Sequence, residues 1–304
     1  MTDLARPPRP GRHVPEGERH RPRPRVRPFP KATGLLEVVS ATPLSPLMRR
    51  LVLRLDCDVP LPVEEPAEII TLIWPASGAA GIVLPERGRW RFPEGTPGQH
   101  WANYTVRLYD RDAGLVTIDF FDHGDEDHGA VAEADGSQST MAEADEGRGS
   151  SWARTAAPGD RVGFAGTRVH WVTDPTASWT LLVGDETALP SIAAIAETLP
   201  AGHRHIAVAE VRDATERAAL DAAHPEVHWV HRGDRAPGES RALTDVVRGL
   251  DLPPGRGQVW AGGESLMIQR LRRHLTCDRG LSRDQVCAMG YWSHPRPRLT
   301  TARA

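Results

Sequence analysis

Residues 103–124 read NYTVRLYDRDAGLVTIDFFDHG, and the fold of the N-terminal half follows from how this stretch is parsed. Tyr104, Val106 and Leu108 alternate with Thr105 and Arg107. Val116, Ile118 and Phe120 alternate with Thr117 and Asp119. A period of two puts one set on an apolar face and the other on a polar face, as in a half-buried strand. Asp112-Ala113-Gly114 lies between the runs and supplies turn chemistry. A β-hairpin is therefore expected, with Thr105, Arg107, Thr117 and Asp119 on its polar side. A tyrosine beside a threonine offers a flat ring and a hydroxyl, which suits a planar heteroaromatic group such as a flavin. Both residues are also good strand formers, so the pair alone fits a ligand-free barrel hairpin too.

Upstream, Leu51, Leu53 and Leu55 alternate with Arg50, Val52 and Arg54, and Ile69 to Trp74 is a short apolar run closed by Pro75. Short strands parted by Pro- and Gly-rich loops point to an antiparallel barrel. Downstream, residues 125–147 carry eight acidic side chains, Asp125, Glu126, Asp127, Glu133, Asp135, Glu143, Asp145 and Glu146, and little that can pack. The segment reads as an acidic mobile insert, and its carboxylates have no fixed spacing for a cation, so no metal site is expected. Gly149-Ser150-Ser151-Trp152 then reads as a helix start with serine as cap, whose open N–H groups would suit an anion. Pro158-Gly159-Asp160 turns into a last barrel strand, Arg161 to Phe164.

Near Pro175 the pattern changes. Trp179 to Val183 is a short buried strand that runs into Gly184-Asp185-Glu186-Thr187, and a helix follows with Leu189, Ile192, Ile195 and Leu199 inward. Pro190 sits in its first turn, where a missing N–H costs little. His205 to Val211, Val227 to Val230 and Gln258 to Ala261 are three more strands, and Glu264 to Thr276 is a helix. Alternating strands and helices predict a mainly parallel α/β sheet, with ligands at the carboxyl ends of its strands. Those ends are the 184–187 turn and Gly262-Gly263-Glu264. No GxGxxG fingerprint is present.

The 304 residues suffice for two domains; 39% are hydrophobic and 25% charged, which fits a folded, soluble chain. A formal net charge of −3 argues against a general nucleic-acid binder. Cys57, Cys277 and Cys287 are too scattered for a disulfide framework or a metal knuckle, so a reducing cytoplasmic setting is expected. No apolar run reaches the roughly 18 residues of a membrane span. Residues 1–30, rich in Arg and Pro, are expected to be a disordered tail. Residues 31–175 then form the barrel domain, 176–293 the α/β domain and 294–304 a C-terminal tail. A monomer is expected.

The chain resembles the siderophore-interacting protein family, FAD-dependent ferric-siderophore reductases of bacteria, on the ferredoxin-reductase layout of barrel then α/β domain. The matching landmarks are Tyr104-Thr105-Val106-Arg107, Ile118-Asp119-Phe120 with His123-Gly124, Ser151-Trp152-Ala153 with Pro158-Gly159-Asp160, Gly184 to Pro190, Trp260 to Glu264, Leu271-Arg272-Arg273 and Gly290-Tyr291-Trp292. They run from about residue 35 to 292. The resemblance implies FAD bound by Tyr104, Thr105, Val106, Arg107, Asp119, Phe120 and His123, with Gly149, Ser150, Ser151 and Trp152 at its pyrophosphate. It implies a nicotinamide donor, NADH or NADPH, docking at Asp185, Glu186, Thr187, Ala188, Gly263 and Glu264, or a ferredoxin in its place. Arg168 would face an anionic ferric siderophore; read without the family, it could simply cap the last barrel strand.

Three positions depart from the family pattern. Ala102 stands where a pyrophosphate-binding Arg is usual, Thr71 replaces a Lys, and Ser293 follows Gly290-Tyr291-Trp292 in place of Arg. Each removes a cation near an anionic ligand, and Arg148 could compensate. The expected activity is FAD-dependent reduction of a ferric siderophore to release Fe(II). Two rivals stand beside it: an NAD(P)H-dependent flavin oxidoreductase with another acceptor, favoured by Thr71, and a non-catalytic chelate-binding protein with a degraded flavin site, favoured by Ala102.

Overall fold

The structure, a computed structural model, describes residues 32–56, 60–75, 81–86, 90–96, 98–122, 129–130, 142–144, 146–220, 227–235 and 238–293. The tails expected at 1–30 and 294–304, His123 and most of the acidic insert lie outside the described residues. The N-terminal half supplies β1 (Ala32–Pro43), β2 (Met48–Asp56), β3 (Ile69–Pro75), β4 (Gln99–Thr105), β5 (Leu108–Asp110), β6 (Leu115–Phe121), β7 (Gly129–Ala130), β8 (Ala142–Ala144), α1 (Glu146–Thr155) and β9 (Arg161–Arg168). Eight of these strands form one sheet in the order β5-β6-β2-β1-β9-β3-β4-β8. All neighbours are antiparallel except the short β4–β8 pair.

β4 and β5 follow each other in the chain yet lie far apart in that order, so the sheet curls and the 105–108 segment bridges its open side. Backbone bonding changes partner there. The Val106 N–H donates to the Glu68 carbonyl at 2.8 Å, and the next N–H, of Arg107, donates to the Thr117 carbonyl at 2.9 Å. The single strand expected through residues 103–110 is therefore two strands meeting at a corner. Only β5 and β6 make the hairpin, and the alternation slips across the bend: Thr105 is 7% exposed whereas Leu108 is 59% exposed. The expected apolar set otherwise fills the barrel, where Leu36, Leu51, Leu53, Ile70, Leu72, Val116, Ile118 and Phe164 are completely buried. Each such aliphatic side chain contributes about 1.5–3 kcal/mol.

The C-terminal half runs β10 (Trp179–Gly184), a 3₁₀ turn (Glu186–Ala188), α2 (Leu189–Thr198), β11 (Arg204–Val211), β12 (Val227–His231), α3 (Ala242–Gly249), β13 (Gly257–Glu264), α4 (Ser265–Arg273) and β14 (Val286–Ser293). The second sheet has the order β12-β11-β10-β13-β14-β7. Its first five strands are parallel, and β7, from within the acidic insert, adds antiparallel to Trp292 and Ser293. A curled antiparallel sheet followed by a parallel α/β sheet is the expected fold class. The last parallel strand, β14, was not among the expected strands. Every residue of β10 and β13 is buried because helices cover both faces. On one face Leu181, Val183, Val208, Leu243, Val247, Ile268 and Leu271 form a core, and on the other Leu182, Ile192 and Ile195 join Met48 and Phe121 of the barrel. The two sheets thus share an apolar seam.

Candidate functional site

The seam opens into a cleft of about 840 Å³ between the two sheets. Tyr104, Thr105, Asp119, Phe121, Ser150 and Arg168 line it from the barrel side, and Glu186, Thr187, Pro190, Tyr291 and Trp292 line it from the α/β side. The Tyr104 ring lies 4.5 Å from Phe120 and 6.2 Å from Trp74, and Trp152 stands 5.9 Å from both Trp74 and Phe120. This aromatic stack explains Gly149: a Cβ there would sit 1.7 Å from the Tyr104 hydroxyl oxygen. The helix can approach the tyrosine only because that residue has no side chain.

Thr105 continues across the cleft. Its hydroxyl lies 2.8 Å from the Ser191 hydroxyl of α2, which lies 2.9 Å from the Tyr291 hydroxyl of β14. Burial pushes the Tyr291 phenol up to about 12, so it stays protonated. Below this chain of hydroxyls, the Asp185 carboxylate accepts from the Thr187 N–H at 3.0 Å, the Glu264 N–H at 2.9 Å, the Trp292 indole N–H at 3.0 Å and the Thr187 hydroxyl at 2.5 Å. One side chain ties the ends of β10, β13 and β14. A Cβ on Gly263, whose φ is 138°, would reach within 2.5 Å of that carboxylate. Burial pushes the Asp185 pKa upward, against the pull of these hydrogen bonds.

Glu186 is paired with Arg232, both side chains being almost fully buried, and accepts from the Arg212 N–H at 2.7 Å. Burial pushes its carboxyl up to about 7, against the pull of Arg232. Glu264 turns inward and caps α4, accepting from the Met267 N–H at 2.8 Å. Ala188 is buried in the seam. Of the expected nicotinamide-docking residues, then, Glu186 and Thr187 line the cleft, while the side chains of Asp185, Ala188 and Glu264 are spent on holding strand ends and helix starts.

The expected flavin residues divide in the same way. Tyr104, Thr105, Asp119 and Ser150 line the cleft. Asp119 is held by Arg50 in a two-pronged ion pair, with both N–O distances 2.7 Å. Ser150 donates to the Phe121 carbonyl at 2.9 Å. Val106 and Phe120 belong to the barrel core, and Trp152 packs against that core. Arg107 is turned away: its guanidinium holds Glu197 of α2, with one N–O distance of 2.7 Å. The expected helix start at Gly149–Ser151 is also corrected. α1 begins at Glu146, so Gly149 and Ser150 sit inside the helix and Ser151 accepts from Arg154 at 3.1 Å. A buried serine that finds a carbonyl on β6 has no need to cap the helix, and the helix runs on past it toward its N-terminus. Arg148 donates to the Pro75 carbonyl at 3.2 Å.

Arg168 lines the cleft and donates to the Asn103 side-chain carbonyl at 2.7 Å. The Thr71 hydroxyl donates to the same oxygen at 2.8 Å and is 4% exposed. The arrangement offers the aromatic rings of Tyr104, Phe121, Tyr291 and Trp292, several hydroxyls and the Arg168 guanidinium to a flat, negatively charged guest. Among the described residues no cluster of three or more His, Cys, Asp or Glu is placed to hold a metal ion, and no helix is long and apolar enough to cross a membrane.

Residues 37–171 match the family of siderophore-interacting FAD-binding domains, and residues 177–295 match the family described as siderophore-interacting protein. A solved siderophore utilization protein from T. fusca is 34% identical, with 90% of this chain and 97% of that one covered and a TM-score of 0.73. The chain belongs to the siderophore-interacting protein family. An uncharacterized protein of Mycobacterium tuberculosis is 31% identical over 204 residues, which cover 63% of this chain and 64% of that relative; the chain thus spans somewhat under two thirds of it. Ferric vibriobactin reductase ViuB of Vibrio cholerae is 26% identical over 263 residues, 85% of this chain and 88% of its own length. Arg50, Ser191 and Asn103 were missed as parts of the site in this family member. Each is an ordinary polar residue: Asn103 lines the cleft, and only long-range pairing puts Arg50 behind Asp119 and Ser191 behind Thr105 and Tyr291.

Proposed function

We propose that the protein is an FAD-dependent ferric-siderophore reductase. The observation that carries the reading is the cleft between the sheets, where the Tyr104 ring and the Thr105 hydroxyl form one wall and Arg168 supplies a cation. The residues fit the cofactor. A planar ring system needs a flat apolar wall, and Tyr104 is fixed by Phe120 and by the glycine-only approach of α1. The ring edge needs hydrogen-bonding groups, which Thr105, Tyr291 and the backbone around them offer. Bound FAD supplies the redox chemistry, taking two electrons from a dinucleotide and passing them one at a time, so one NAD(P)H and two Fe(III) give NAD(P)⁺, H⁺ and two Fe(II).

The chain's own groups do the rest. Tyr104 and the seam residues Met48 and Phe121 keep water from one side of the cleft. Thr187 offers a polar contact at the carboxyl end of β10, where a nicotinamide dinucleotide or a docked ferredoxin would deliver electrons. Arg168, held out by Asn103, attracts an anionic ferric chelate. Reduction releases the iron because oxygen donors hold the smaller, more highly charged Fe(III) more strongly than Fe(II). We further place the protein in the cytosol, as a monomer.

Two measurements test this. Titration with FAD should quench flavin fluorescence and raise the melting temperature, and Tyr104→Ala should weaken binding by about 0.5–1.5 kcal/mol beyond the lost contact area. With FAD bound, ferric siderophores should outperform quinones and ferricyanide as acceptors in steady-state assays. A second reading, a flavin oxidoreductase with another acceptor, is favoured by Thr71, which is buried and brings no charge to the cleft. Preference for quinones in the same assay would select it. Absence of any flavin binding would remove both.

A further inference from the structure

A second lobe opens beside the main cleft, bounded by Leu47 and Arg49 of the β2 region, Asp122 after β6, and Ala153 and Arg154 of α1. Met48, Phe121 and Ser150 line both spaces, so the lobe lies directly against the cleft. The arginines nearby differ in what they already hold. Arg50 is closed on Asp119, and Arg107 on Glu197. Arg168 is bonded to Asn103. Arg154 lies 3.7 Å from Asp122 and donates to Ser151. Arg49 lines the lobe, and its Nε–H is buried with no acceptor among the described residues. A buried guanidinium N–H is costly until an acceptor completes it, and an oxyanion does so best. β4 supplies no cation in this direction, since Ala102 is a buried alanine.

Resting on the reading that the cleft takes a flavin ring, we propose that the lobe takes the phosphate-bearing half of FAD, with Arg49 as the cation that receives its phosphates and Arg154 beside it. A dinucleotide seated by its ring against Tyr104 must leave the cleft somewhere, and across Ser150 the adjoining lobe presents these two guanidiniums. Leu47, Phe120 and Ala153 give the lobe an apolar wall that suits an adenosine, beside the polar Ser45, Asp122 and Ser150. Arg49 is thus a positioning residue for the cofactor.

The test is titration of the apoprotein with riboflavin, FMN and FAD, followed by flavin fluorescence, for wild type, Arg49→Gln, Arg49→Lys and Arg154→Gln. Wild type should bind FAD more tightly than riboflavin. Arg49→Gln should raise the Kd for FAD about ten- to a hundredfold, the loss of a charge-assisted contact, while leaving riboflavin within about twofold. Arg49→Lys should fall between the two, because an ammonium keeps the charge but not the fork. Inorganic pyrophosphate should displace FAD from wild type but not riboflavin, a result that stands even where the glutamine variant fails to fold. An unchanged Kd for FAD in folded Arg49→Gln would overturn the proposal, and so would equal losses for FAD and riboflavin. If riboflavin binds wild type as tightly as FAD, the proposal falls while the flavin reading survives. If none of the three binds, both fall.

Discussion

Arg168 reaches the cleft from the end of the last barrel strand, and a hydrogen bond to Asn103 helps to steady it. Thr71 bonds to the same oxygen and adds no charge, so on the proposed function this guanidinium carries the attraction of an anionic chelate. Arg168→Ala should raise KM for the ferric chelate several-fold and leave the rate of flavin reduction nearly unchanged. The effect should shrink as salt rises, because charges separated by more than about 8–10 Å are screened at physiological ionic strength. A salt-independent, unchanged KM in the folded variant would mean that Arg168 only closes the barrel. Glu186 makes a pH prediction. Burial lifts its carboxyl from 4.5 to about 7, so the folded chain holds this proton more tightly than the unfolded chain does. The stability it contributes is full below about pH 4.5 and is lost as pH rises through about 7. Asp185 and Glu210, also pushed upward mainly by burial, act in the same sense. Glu186→Gln should flatten this decline in melting temperature between about pH 5 and 7.

At the scale of elements, α1 is set by one contact. An alanine replacing glycine inside a helix normally stabilises by about 0.5–1 kcal/mol. In α1 the added Cβ of Gly149→Ala would meet the Tyr104 hydroxyl at 1.7 Å, so the sign reverses and a loss of about 1–3 kcal/mol is expected. Chemical denaturation should register it, and the double variant with Tyr104→Phe should recover much of the loss by removing the crowded oxygen. Equal stability of the single variant and wild type would show that the stack is looser than drawn. The same elements explain what could be read in advance. Apolar alternation announced β2 and β6, and short apolar runs announced β3 and β10, because period and burial are properties of a segment. The corner at Val106 and Arg107 was hidden, since its cause is a change of hydrogen-bonding partner from Glu68 to Thr117, residues distant in sequence. Val286–Ser293 was hidden because two methyl-poor positions and a glycine interrupt its pattern, although Tyr291 and Trp292 had already been singled out by resemblance. Tyr104, Thr105 and Asp119 were found at the cleft for what they are. Arg50, Asn103 and Ser191 became visible only through the partners that folding gives them.

For the whole molecule, the joint between the two sheets is both greasy and ionic. Met48 and Phe121 of the barrel pack into the cluster that holds Leu189 and Ile192, and Arg107 grips Glu197 across the same boundary. The apolar part should dominate. Arg107→Ala should cost only about 0.2–1 kcal/mol, the range of a pair with a solvent-accessible partner, and thermal unfolding should remain a single calorimetric transition. Two separated transitions in that variant would show that the ion pair, not the seam, couples the sheets.

The row of hydroxyls from Thr105 through Ser191 to Tyr291 has one more property. Each oxygen carries a single hydrogen, so within the row the hydrogens can all point one way or all the other, and the inner bonds are satisfied in both cases. In one sense Tyr291 has a hydrogen to give and Thr105 only lone pairs; in the other the polarity is inverted. A guest that demands a donor from the barrel end therefore obliges the strand-β14 end to do the giving no longer. The orientation of these O–H bonds thus sets which end of the row offers a hydrogen and which a lone pair, with every heavy atom at rest.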